Sequence, residues 1–315
     1  MINTKICELL NIKYPLIQGG MAWVADASLA AAVSKAGALG LIAAGNAPVD
    51  YVKKQIRLVK EATDRPFGVN IMLMSPSAEE VAQLVIEEKV QVVTTGAGNP
   101  TRFIPAWKEA GIKVIPVVPS CGLAKMVERS GADAVVAEGG EAGGHIGEIS
   151  TMALIPQVVD AVQIPVIAAG GIFDGRGIAA ALILGAGGVQ MGTRFLTAYE
   201  CNIHVNYKKR VLKAKDIDTV VTGRRLGHPV RSLKSIFARD LAAKEQDQTI
   251  TNEHLEEFAA GSLRLAVQEG DEKKGSFMAG QVVGMCRQEQ SCQEIIDEIF
   301  GEAEQILGGA DKWLK

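Results

Sequence analysis

"PVIAAGGI" at Pro165–Ile172 and "GVQMGTRF" at Gly188–Phe195 follow one plan: an apolar, β-favouring run that ends in small or polar residues. Six earlier runs share it: "YPLIQGGM" from Tyr14, "LGLIAA" from Leu39, "PFGVNIML" from Pro66, "VQVVTTGA" from Val90, "KVIPVVPS" from Lys113 and "DAVVAEGG" from Asp133. Their starts recur at intervals of roughly 20 to 32 residues, the size of a βα unit. Between them lie stretches with apolar residues at helical spacing, such as "VDYVKKQIRLVKEAT", "AEEVAQLVIEE" and "TMALIPQVVDAV". Eight units without a break predict an α/β protein, a (β/α)8 TIM barrel, rather than an open doubly wound sheet. The small and polar strand ends would then gather at one face, where βα loops build a site.

After Phe195 the rhythm stops. Residues 200–280 are richer in charge, "SFMAGQVVGM" returns to small apolar residues, and "CQEIIDEIFGEAEQIL" reads as a last helix. The expected organisation is a barrel from residues 1–199 and 281–315, with a helical insertion after strand eight, residues 200–280, covering the barrel mouth.

Composition agrees. The chain has 315 residues, 48% of them hydrophobic and only 5% aromatic, a balance suited to parallel strands buried on both faces. A net charge of −3 gives a nucleic-acid partner no support. The cysteines, five in number, form no CxxC pair and have no nearby histidine pair, so they read as reduced thiols rather than a zinc site. No membrane-length apolar run and no signal-peptide pattern stands out, and the expected location is the cytoplasm.

"AAGGI" (Ala168–Ile172) and "QMGTR" (Gln190–Arg194) close strands seven and eight. In barrels those two loops commonly hold a phosphate on backbone N–H groups. Gly170, Gly171 and Gly192 allow close approach, Thr193 adds a hydroxyl, and Gln190 and Met191 end the strand beside them. A GxGxxG fingerprint is absent: "GAGNPT" lacks the third glycine and "GAGGVQMG" has the wrong spacing. A phosphate site without a Rossmann motif points to FMN, PLP or a sugar phosphate. PLP needs a strand-end lysine, and the strand ends offer Gln18, Asn70, Thr95 and Glu138 instead. FMN needs amide and backbone partners for its ring; Asn70 and the backbone of Gln18–Met21 fit the ring edge, and Glu138 fits the ribityl hydroxyls.

The stretch "VAEGGEAGGHIGE" (Val136–Glu148) places His145 among five glycines. Glycine weakens regular structure, so the run is suited to lying close against a flat ring, with the imidazole beside it. A histidine there can give or take a proton near neutral pH. Glu141 and Glu148 read as loop-anchoring or solvated acids; His204 and His228 read as structural or substrate-lining, and His254 as exposed.

"PLIQGGMAWVA", "PFGVNIMLMSP", "TTGAGNP", "AEGGEAGGHIG", "PVIAAGGI", "GVQMGTRF" and "GSFMAGQ" resemble the nitronate monooxygenase (2-nitropropane dioxygenase) superfamily, over nearly the whole chain and in the same order. "GGMAWVADASLAAAVSKAG", "VVTTGAGNP" and "KGSFMAGQ" are similar to one branch, the FMN-dependent enoyl-acyl-carrier-protein reductases II of bacterial fatty-acid synthesis. The resemblance implies that Gly20 and Met21 line the flavin and Asn70 binds it. It implies that Glu138 holds the ribityl chain, where the monooxygenase branch has glutamine. Gly143 and Gly144 would let the loop pass over the ring, Gly171, Gly192 and Thr193 would take the phosphate, His145 would be catalytic, and Gln281 would return to the flavin. On this reading hydride passes from NAD(P)H, by way of the flavin, to the β-carbon of a trans-2-enoyl thioester. His145 is the candidate proton donor to the α-carbon. A homodimer and a monovalent cation, the latter on carbonyls around Ala43–Pro48, are further expectations. No Rossmann acid or arginine marks NADH or NADPH.

From Glu200 to Asp240 ten basic residues face four acids. Such a basic insertion above a barrel mouth fits an acidic acyl carrier protein. Met72–Pro76, "MLMSP", could line an acyl slot but reads more readily as barrel core. The rival functions are a nitronate monooxygenase using O2, with His145 as base, and a non-catalytic flavin binder.

Overall fold

The structure is a computed structural model that describes residues 1–313. In chain order its strands are β1 (Leu16–Gln18), β2 (Gly40–Ala43), β3 (Phe67–Met72), β4 (Val92–Gly96), β5 (Lys113–Val118), β6 (Val135–Glu138), β7 (Gly144–His145), β8 (Val166–Ala169), β9 (Gly188–Met191), β10 (Thr219–Thr222) and β11 (Val230–Leu233). All but β7, β10 and β11 are parallel and form one eight-stranded sheet, in the order β1-β9-β8-β6-β5-β4-β3-β2. The seam between β1 and β2 closes at one bridge, Ile17 opposite Leu39. There the Leu39 N–H donates to Leu16 O and the Gln18 N–H to Leu39 O, each at 2.9 Å. The barrel and each of the eight expected strands are present.

The helices are α1 (Lys5–Leu10), α2 (Ala27–Lys35), α3 (Val49–Ala62), α4 (Ala78–Glu87), α5 (Ile104–Glu109), α6 (Cys121–Arg129), α7 (Thr151–Ala161) and α8 (Gly175–Ile183). After the barrel strands come α9 (Val205–Lys213), α10 (Ile236–Gln246), α11 (Asn252–Ala259), α12 (Ser262–Arg264) and α13 (Cys292–Gly308). Side-chain oxygens of Asp26, Ser120 and Asp174 cap α2, α6 and α8, and Ser291 with Glu294 forms a capping box on α13.

Two apolar layers hold these elements. The barrel interior is filled by Ile17, Leu39, Leu41, Val92, Ile115, Val136 and Ile167, with Ile6 and Leu10 of α1 plugging one end. The other layer lies between strands and helices. Packing there is close: a Cβ on Gly40 would sit 1.9 Å from the Ala30 carbonyl oxygen, so only glycine lets α2 lie on β2 at this distance.

The segment after β9 is largely helical but also carries the antiparallel pair β10–β11, which a purely helical reading overlooks. Its strands, "TVVT" and "VRSL", are four residues long and only partly buried. The pairing partner of β11 explains the miss: it is β7, the glycine loop with His145. A strand completed by a distant loop leaves no local periodicity.

Candidate active site

The carboxyl ends of the barrel strands open into a cavity of about 1250 Å³. Gly20, Met21, Asn70, Glu138, Gly143, Gly144, His145, Gly170, Gly171, Gln190, Met191, Gly192 and Thr193 all line it, so nearly every residue singled out in the sequence is brought to one place. Gln281 is not among them. It opens a 3-10 turn with its side chain exposed, and its N–H donates to Glu141 O at 3.0 Å. The neighbouring Gly280 and Val282 line the cavity instead.

The floor is built where the segment after β1 meets Asn70 of β3. A Cβ on Gly20 would lie 2.3 Å from Asn70 Cγ, while Asn70 Nδ2 donates to Thr94 Oγ1 at 2.9 Å. Gln18, fully buried, braces this corner. Its Nε2 donates to Gly19 O, and its Oε1 accepts from the Leu41 N–H.

Opposite lies a cradle made by the ends of β8 and β9. Gly170 and Gly171 take φ of 91° and 71°, a region L side chains rarely adopt. No hydrogen bond within the described residues uses the N–H of Gly170, Gly171 or Gly192. Thr193 Oγ1 accepts from the Gly280 N–H at 2.8 Å, which leaves its hydroxyl proton free to donate. Gln190 Oε1 is buried without a partner, a cost of about 1–3 kcal/mol for a buried acceptor unless a ligand donor meets it.

Glu138 ends β6 on the cavity wall, and burial alone pushes its carboxyl up to about 7. Glu141 also lines the cavity, beside Gly171, and its carboxylate accepts from the Thr151 N–H at the start of α7. Glu148 pairs with Arg224 on the surface.

The glycine loop is clamped on two sides. A Cβ on Gly143 would meet Ala279 C at 2.6 Å and Gly280 N at 2.7 Å, so the loop lies directly on the C-terminal segment. On the other side His145 stands opposite Val230 and Gly144 opposite Arg231 in an antiparallel ladder. Arg231 Nη2 donates to Gly140 O at 2.9 Å, and the Ile146 N–H donates to Pro229 O at 3.0 Å. The imidazole of His145 is exposed to the cavity. The surrounding protein, and secondarily His228, holds its pKa below the ordinary value.

Several wall residues were not legible in the sequence. Trp23 has a φ of 63°, unusual for so bulky a side chain, and the Arg264 guanidinium lies 5.0 Å over its ring. The buried Tyr207 donates to Met278 O at 2.6 Å. The apolar side of the cavity is formed by Met72, Met74, Leu123, Met126, Leu226, Phe237 and Leu241; Met72 and Met74 therefore belong to the cavity wall, not the barrel core. The wall contributed by residues 200–280 closes over the strand ends, with Tyr207, Thr222, His228 and Val230 among its members. Among the described residues there is no cluster of metal-ligating side chains, no cysteine on the cavity wall, and no helix long and apolar enough to cross a membrane.

The sequence model of the family described as nitronate monooxygenase matches residues 3–302. The structure of FabK from Thermotoga maritima superposes with a TM-score of 0.97 at 50% identity, covering 100% of both chains. The (3aS,4S,5R,7aS)-5-hydroxy-7a-methyl-1-oxo-octahydro-1H-indene-4-carboxyl-CoA dehydrogenase of Mycobacterium tuberculosis is 37% identical over 96% of this chain and 96% of its own. A probable nitronate monooxygenase of Staphylococcus saprophyticus is 34% identical over 97% of this chain and 99% of its own.

Proposed function

Because this chain belongs to the nitronate monooxygenase family, we propose that it is a flavin-dependent oxidoreductase that reduces the trans-2 double bond of enoyl thioesters, presented by an acyl carrier protein, at the expense of NAD(P)H. The size and lining of the cavity carry this reading. At about 1250 Å³ it exceeds the 300–1,000 Å³ usual for a single small ligand, and one side is methionine, leucine and phenylalanine. A flavin with a small nitronate would leave that apolar side unused; a flavin with an acyl chain fills it. The match to FabK and the CoA-thioester relative support the same class.

The residues present fit FMN. The partnerless N–H groups of Gly170, Gly171 and Gly192 suit its phosphate, the orphaned Gln190 Oε1 suits a ring N–H, and Asn70 and the Gly20 backbone suit the ring edge. Glu138, its carboxyl raised to about 7 by burial, offers a group that can bind hydroxyls in either protonation state. FMN held by these residues would supply the hydride chemistry that links NAD(P)H to the β-carbon. His145 holds the proton for the α-carbon, and the apolar wall excludes water from the acyl chain.

A nitronate monooxygenase is the second reading, and one observation favours it: an imidazole held below its ordinary pKa is suited to act as a base. Anaerobic stopped-flow separates the two. The reductase reading expects NADH or NADPH to bleach the flavin and crotonyl thioester to restore it. Bleaching by a nitroalkane and not by nicotinamide overturns it.

The carrier would dock on the basic face of the insertion. Six of its ten cations have intramolecular partners: Lys208 with Glu289, Arg210 with Glu272, Arg224 with Glu148, Arg239 with Asp240, and Arg225 and Arg231 on backbone carbonyls. Lys209, Lys213 and Lys234 instead line a hollow of about 530 Å³ and form no salt bridge among the described residues, which leaves them for carboxylates of a partner.

A further inference from the structure

We propose that His228 is the solvent-facing partner of His145 in a two-imidazole relay that passes one proton at a time from solvent to the substrate α-carbon. The proposal rests on the reductase reading for its reaction, and on the ladder between β7 and β11 for its geometry.

His145 is opposite Val230, and the Ile146 N–H bond to Pro229 O carries the pairing one residue further. Side chains on an extended strand alternate between faces. His228 and Val230 therefore share the face of His145, and the cavity wall repeats the alternation: His228 and Val230 line it, Pro229 does not. The two histidines are diagonal neighbours in the ladder, a Cα spacing of roughly 7 Å, within reach of long side chains or one bridging water. The backbone fixes His228 there: its N–H donates to Gly223 O at 3.1 Å. A Cβ on Gly223 would lie 2.5 Å from the His228 carbonyl oxygen.

The other charged groups around the loop are committed elsewhere. Glu141 is bound at the start of α7, Glu148 to Arg224, and Arg231 to Gly140 O and Thr219. Glu138, on the same cavity wall, is not among the groups that shift His145. His228 is thus the ionisable neighbour left to influence His145, and it also lowers the imidazole's proton affinity. Two imidazolium ions this close would repel, so a proton on His228 disfavours a second one on His145.

The exposed His228 is the natural holder. As hydride reaches the β-carbon, His145 gives the proton on one ring nitrogen to the α-carbon and takes the His228 proton on the other. Solvent then recharges His228. A neutral His145, which on its own is a poor acid, thereby serves as a donor, and the observation that favours the monooxygenase reading is accommodated.

The test uses the FMN-loaded protein with isotope-labelled histidine, assigned with His145→Gln. In His228→Gln the titration midpoint of His145 is expected to rise by about half a pH unit or more, because its cationic neighbour is gone. His228→Lys, with a permanent charge, is expected to keep it low. In single-turnover reoxidation by crotonyl thioester, His228→Gln is expected to be roughly threefold or more slower above neutral pH, its rate falling with the new His145 midpoint, with added imidazole restoring the loss. An unmoved midpoint, or an unmoved pH profile, overturns the relay. Should the wild-type protein not be reoxidised by any enoyl thioester, the reductase reading fails, while the midpoint still decides whether the histidines are paired.

Discussion

The Thr193 hydroxyl accepts the N–H of Gly280 at 2.8 Å, joining two residues 87 positions apart in the chain. Thr193 belongs to the anion cradle after β9, and Gly280 to the segment on which the His145 loop rests. One hydroxyl therefore links the proposed phosphate cradle to the support of the His145 loop. Thr193→Ala is expected to strand the Gly280 N–H, lowering stability by about 1–3 kcal/mol, and to weaken flavin retention. Thr193→Ser is expected to restore both. Thermal melts and flavin release on gel filtration read the two effects.

His145→Gln is expected to retain flavin, because the loop is held by its backbone and by Arg231. The same change is expected to lower enoyl reduction by roughly 10²-fold or more, the usual contribution of a positioned acid–base group. Reduction by nicotinamide alone, followed at 450 nm, should be nearly unaffected. An equal loss in both half-reactions would assign His145 to flavin geometry instead.

Glu138 gives a pH signature. Its carboxyl is raised from an unfolded value of 4.5 to about 7 in the fold. Between those values the folded protein binds the extra proton, so stability falls as pH rises from about 4.5 to 7 and then levels off. Glu138→Gln removes that loss. The flavin-free variant is expected to exceed the wild type in stability at pH 8, by of the order of 1–3 kcal/mol, and to converge with it near pH 4.5. Denaturant melts at the two pH values check the sign.

For the carrier, the informative triple change is Lys209→Glu, Lys213→Glu and Lys234→Glu. KM for acyl-carrier substrates is expected to rise about tenfold at low salt, with acyl-CoA turnover spared and the difference fading as salt is added. Reversing Lys208 and Arg210 instead would break the contacts to Glu289 and Glu272 and confuse docking with folding.

The barrel was legible because its signal is local and repeated: each strand is a short apolar run ending in small residues, set off by a helical stretch. The meeting of Gly170, Gly171, Gly192 and Thr193 at the cavity was legible for the same reason, since they sit at the ends of two such runs. What the sequence withheld depends on long-range partners. Gln281 shares a motif with Gly280, yet the backbone bond to Glu141 turns its side chain outward. The relation of His228 to His145 arises only when β11 pairs with a loop some 80 residues earlier. Trp23 stands in a readable motif, but its left-handed backbone and its contact with Arg264 are products of the completed cavity.

The pairing of β7 with β11 also constrains how the enzyme can breathe. A hinged cover usually moves independently of the machinery beneath it, but here part of the cover and the reacting loop are hydrogen-bonded into one ribbon. Any outward movement of the hairpin would carry the backbone of His145 with it. Opening the cover and displacing the glycine loop would then be a single event, since the loop cannot keep its seat on the C-terminal segment while the paired hairpin stands away from it.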